Sequence, residues 1–136
     1  MINKILFILD KEYSTSVLDF LLNFSKNWNA HVTLFAPIDL SLVNSISQNE
    51  GRKKREVREQ ITNEAWMKLY SLEETFKSQS IHTSLVVDEI TTTEDIIERI
   101  NRIKPFLIVT GVNFGSSLIK SMGSRLSIPV LLLPES

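Results

Sequence analysis

The chain has 136 residues, 43% hydrophobic and 23% charged, with 15 Lys+Arg against 16 Asp+Glu for a formal charge of -1. Such values fit one globular domain that buries roughly two-thirds of its unfolded surface, and exclude the disordered, collagenous and membrane classes and any global field drawing in nucleic acid or anionic lipid. The absence of cysteine excludes disulfides, thiolate catalysis and cysteine metal sites, and it fits a reducing compartment.

In MINKILFILDKEY the apolar run is cut by Asp10, Lys11 and Glu12, well short of a signal peptide, and nothing reaches the ~20 apolar residues of a membrane span. Cytoplasm is the expected location, with no membrane partner. ILFIL at residues 5–9 is an unbroken apolar run ending in charge, as in a strand covered on both faces. Ser14, Thr15 and Ser16 offer N-caps to a first helix in which Val17, Leu18, Leu21, Leu22, Phe24 and Trp28 recur at helical spacing, and Asn29 suits a left-handed stop. VTLFA (32–36) is a second strand halted by Pro37, and DLSLVNSISQNEG, with weak periodicity, reads as a loop. From about Arg52 to Ser78, Val57, Ile61, Ala65, Leu69, Leu72 and Phe76 keep one face of a long helix apolar.

IHTSLVV (81–87) alternates as a half-exposed edge strand would, with Ile81, Leu85 and Val87 on one side. TTTED caps a helix carrying Ile96, Ile97, Ile100 and Ile103, with Thr92 and Asp95 spaced like a capping box, and Lys104-Pro105 closes it. FLIVT is the fourth strand. A helix follows with Leu118, Ile119, Met122 and Leu126 inward, and PVLLL is the fifth strand, with Pro129 at a permitted first position. Regular alternation of strands and helices predicts right-handed crossovers and an α/β fold: a single doubly wound, Rossmann-like domain over residues 1–136, with helices on both faces of a five-stranded parallel sheet. Strand order 3-2-1-4-5 would place the ligand crevice between strands one and four, where Asp10 and Thr110-Gly111 end their strands.

KILFILD with Ser14 to Ser16, NAHVTLFA, the 91–103 helix leading into FLIVTG, and SIPVLLLP together resemble the universal stress proteins over nearly the whole chain. That resemblance implies a stress-response or regulatory module and, in ATP-binding members, a Gly-x2-Gly-x9-Gly-Ser/Thr signature after the fourth strand. Here the pattern is broken: Phe114 stands where the second glycine belongs, Gly115 follows it, Gly123-Ser124 comes one residue early, and the interval from Gly111 to Pro129 is short. ATP-binding members also have a proline two residues before the strand-one aspartate and small residues after it, whereas this chain has Ile8, Asp10 and Lys11-Glu12-Tyr13. They read adenine with backbone groups just past strand two, where Pro37 has no N–H to donate.

From the residues alone, Gly111 and Gly115 permit backbone geometries barred to others, and Ser116 and Ser117 offer hydroxyls and N–H groups for an anion at a helix N-terminus. The competing reading, preferred for a triphosphate, is a tight strand-to-helix turn with Ser116 as N-cap and Gly123 allowing close helix packing. Asp10 suits a ribose or adenine contact or Mg²⁺ held with phosphates, or a turn cap; Asn113 suits a phosphate or, better, its own turn. The candidate cofactor-binding set is therefore Asp10, Gly111, Asn113, Gly115, Ser116 and Ser117, with no catalytic residue and no protein metal site.

Arg52, Lys53, Lys54, Arg55 and Arg58 are interleaved with Glu50, Glu56 and Glu59 and read as a solvated helix start rather than a nucleic-acid surface. His31 and His82 read as ordinary strand residues, and Trp28, Trp66 and Phe76 as core. There is no nucleophile elbow, no His-carboxylate pair at motif spacing and no Walker lysine. A receiver domain is set aside because Asp10 stands alone and no lysine follows strand five. The uncharged edge Val130, Leu131, Leu132, Leu133 predicts a homodimer, as the resemblance also implies. The leading expectation is a non-enzymatic module with no cofactor and impaired or absent ATP binding. The alternative is an ATP- and Mg²⁺-binding member with an adapted shorter loop, a switch or slow ATPase; an enzyme acting on another small anion in the same crevice ranks last.

Overall fold

The computed structural model describes residues 3–10 and 13–134; Lys11 and Glu12, part of the bulky segment after Asp10, lie outside them. One parallel sheet of order β3-β2-β1-β4-β5 is built from β1 (Asn3–Ile8), β2 (Ala30–Asp39), β3 (Thr83–Ile90), β4 (Leu107–Gly111) and β5 (Val130–Leu133). The helices are α1 (Thr15–Asn27), α2 (Leu40–Glu50), α3 (Lys54–Ser78), α4 (Thr93–Ile103) and α5 (Val112–Met122), with a 3₁₀ turn at Gly123–Arg125. The expected strand order and the expected layering are both observed.

The reason β1 is apolar from Ile5 to Ile8 is visible in its packing. Ile5 and Phe7 point into one cluster with Val32, Leu34, Leu21 of α1 and Phe76 of α3, while Leu6 and Ile8 point into the other with Phe35, Ile108, Ile100 of α4 and Leu118 of α5. These four β1 side chains are fully buried, as period-2 alternation requires when helices cover both faces. The helix ends follow the expected chemistry: Ser14 Oγ accepts from Val17 N–H, Asn29 adopts φ 50°, and the Asp95 carboxylate accepts from the Thr92 N–H at 3.1 Å.

Four expectations are corrected. Residues 40–50, read as a loop, form α2, capped by Asp39 accepting from Ser41 N–H and stopped by Gly51 at φ 63°; its buried residues are Val43 and Ser47, with Ile46 half-buried beside them. β2 is not halted by Pro37 but runs on to Asp39. Phe35 O accepts from Leu9 N–H, so by alternation the side of Pro37 that lacks a donor also faces β1, which has already ended, and no ladder bond is lost. Trp28 is not core: it is 53% exposed, stacked on Phe24 and against Phe106 at the end of α1. Ile119 faces outward, and α5 ends before Leu126.

Candidate crevice at the switch point

β1 and β4 are neighbours in register, Phe7 opposite Val109, and the buried Thr110 hydroxyl donates to Ile8 O at 2.9 Å across the pair. This bond holds the two strand ends side by side. Asp10 therefore arrives over Gly111, so closely that a Cβ on Gly111 would lie 2.7 and 2.8 Å from its carboxylate oxygens. Gly111 serves this close approach and not an unusual dihedral, since its φ is -66°.

α5 starts immediately after Gly111, which is its N-cap. The expected N-cap role of Ser116 is thus corrected: Ser116 and Ser117 are exposed residues of the second turn, where backbone N–H groups are spent on the helix's own ladder. Asn113 is an exposed residue of the first turn. Gly115 is helical and buried, and a Cβ there would lie 2.2 Å from Leu132 Cδ2 and 2.9 Å from Thr110 Cγ2. Its role is to let α5 press onto β4 and β5. Gly123, expected to allow close packing, instead has φ 53° with nothing within 4 Å of a Cβ; it turns the chain out of the helix. The structure brings Asp10 and Gly111 together and leaves the two serines apart from them.

The sequence reading counted Tyr13 only as bulk. Its ring packs on Phe7 at a centroid distance of 5.3 Å and its hydroxyl donates to Asp10 Oδ1. Burial first, then the Asp10 hydrogen bond and charge, push the phenol well above its ordinary pKa, partly offset by the backbone amides of Asp10 and Gly111. The phenol accordingly keeps its proton. On the other side of Asp10, toward β2, lies a cavity of about 160 Å³ lined by Leu9, Ala36, Pro37, Ile61 and Lys68. Small-molecule sites usually enclose ~300–1,000 Å³, so this space is below the size of a nucleotide site.

Elsewhere, the three arginines at and just before the start of α3 are paired: Arg52 with Glu50 at 3.3 Å, Arg55 with Glu59 at 4.0 Å and Arg58 with Glu89. His31 shares a 2.7 Å hydrogen bond with Ser84, and burial, then the neighbouring His82 and Lys4, lower its pKa. Among the described residues no three metal-ligating side chains converge, and no helix is long and apolar enough to cross a membrane.

No protein-family model and no curated protein matches the chain. Solved structures do match, several of them along nearly their full lengths. A universal stress protein from Lactobacillus plantarum superposes with a TM-score of 0.73 at 12% identity, over 96% of this chain and 97% of that one. One from Archaeoglobus fulgidus, in complex with dAMP, gives 0.64 at 18% identity over 97% and 98%. A family protein from Arabidopsis thaliana with AMP bound gives 0.63 at 12% identity over 98% and 92%. The chain has the universal stress protein fold.

Proposed function

We propose that the protein is a cytoplasmic, non-enzymatic stress-response or regulatory module of the universal stress protein type, whose crevice does not hold ATP. The observation that carries this reading is the seating of Gly115 on Leu132 and Thr110. With α5 starting at Val112 and pressed onto the sheet, no free loop remains to wrap a triphosphate with backbone amides. Pro37, at the wall of the small cavity, offers no N–H for a base. The expected assembly is a homodimer through β5: the strand is a sheet edge, and beside it Val17, Phe20, Leu131 and Pro134 line an apolar hollow of about 360 Å³.

A second reading, nucleotide binding as a switch, is favoured by one observation: two proteins of the same fold are solved with dAMP and AMP. Calorimetric titration of the purified protein with AMP, and with ATP plus Mg²⁺, separates the two. No saturable heat at millimolar ligand supports the closed module, and saturable binding supports the switch.

A further inference from the structure

We propose that Tyr13 is a built-in occupant of the switch-point crevice, which a nucleoside monophosphate must displace before it can reach Asp10 and Gly111; this rests on the reading of that crevice as a closed nucleotide site. At the crevice the Asp10 carboxylate is set over the backbone of Gly111. The phenol closes onto this carboxylate, donating to Asp10 Oδ1. A hydroxyl that donates to this carboxylate does what a ribose hydroxyl would do at the same place. Tyr13 therefore stands in for a sugar.

The placement of Tyr13 suits an occupant that can leave. It lies outside any helix or strand, just ahead of the Ser14 cap, so its departure breaks no backbone ladder. Its ring rests on Phe7, which keeps it seated when nothing competes. Asp10 borders both the phenol and the 160 Å³ cavity toward β2, so removing the ring frees space beside the same carboxylate. Occupation by the protein's own side chain weakens a ligand by the fraction of molecules in which the site is free.

The test is calorimetric titration of AMP into wild type and Tyr13→Ala. The expected result is that Tyr13→Ala binds AMP at least about tenfold more tightly than wild type. ATP should gain nothing over AMP, and adding Asp10→Ala should abolish the gain. A cooperatively folded Tyr13→Ala that binds AMP no better than wild type overturns the role of Tyr13 and leaves the closed-crevice reading intact. Tight AMP binding by wild type overturns both. Should Tyr13→Ala fail to fold, ultraviolet titration of the wild-type tyrosines decides, because the sequence has two. A phenol ionising far above the usual tyrosine range is expected, and its absence overturns the contact.

Discussion

Replacing Gly115 by alanine sets two effects of opposite sign against each other. In a helix interior alanine is favoured over glycine by about 1 kcal/mol, so a glycine free of packing constraints should gain stability from the change. Here the new Cβ would stand 2.2 Å from Leu132 Cδ2 and 2.9 Å from Thr110 Cγ2, where ordinary contact begins near 3.4 Å. Leu132 is half-buried on the sheet edge and can swing aside. Thr110 cannot, because it is fully buried with its hydroxyl tied to Ile8 O. Overpacking of a fixed neighbour costs roughly 1–3 kcal/mol; taking the upper part of that range leaves a net loss of about 1–2 kcal/mol after the helix gain. For a domain of this length the melting temperature should fall by roughly 4–8 °C. Urea unfolding and calorimetry of Gly115→Ala measure it directly. Unchanged or raised stability would refute the packing role and return Gly115 to the candidates for ligand approach.

Thr110→Val keeps the shape but removes the buried bond to Ile8 O; a loss of about 1 kcal/mol in urea unfolding is expected, and no loss would mean that this bond does not hold the crevice ends together. Leu131→Glu places a carboxylate in the apolar hollow beside β5 and should convert a dimer to a monomer in light scattering, whereas a monomeric wild type contradicts the proposed assembly. The lowered pKa of His31 makes its neutral form the one the fold prefers. Stability on its account is full above the unfolded histidine pKa of about 6.5 and falls as pH drops through that value toward the lower folded one. His31→Gln should flatten this acid-side slope, and an unchanged slope removes His31 as its source.

The layered sheet was legible because continuous apolar runs such as ILFIL and FLIVT have one economical home, a strand covered on both faces. The caps at Ser14 and Asp95 were legible because they are local hydrogen-bond chemistry. α2 was obscured by its thin inward face, with Ser47 buried where an apolar residue would have marked the period; Asp39 and Gly51 were the signals that could have revealed it. Pro37 misled because a proline is harmless once the neighbouring strand has ended, and that depends on the register of β1. Trp28 has the right spacing but sits at the far end of α1, beyond the cover of the sheet.

The candidate site was legible in part for the same reason. Asp10 and Gly111 followed from strand order alone. The role of Gly115 depends on Leu132, far along the chain, and that of Tyr13 on the packing of its ring against Phe7. No local pattern encodes either contact.

The most direct measurement is the backbone amide resonance of Gly111 in a ¹⁵N-labelled wild-type sample titrated with AMP to millimolar concentration. With the Tyr13 phenol in place and α5 pressed onto the sheet, that resonance should stay where it is. A saturable shift at Gly111 would mean that the crevice opens to nucleotide in the unaltered protein, contrary to the account given for it.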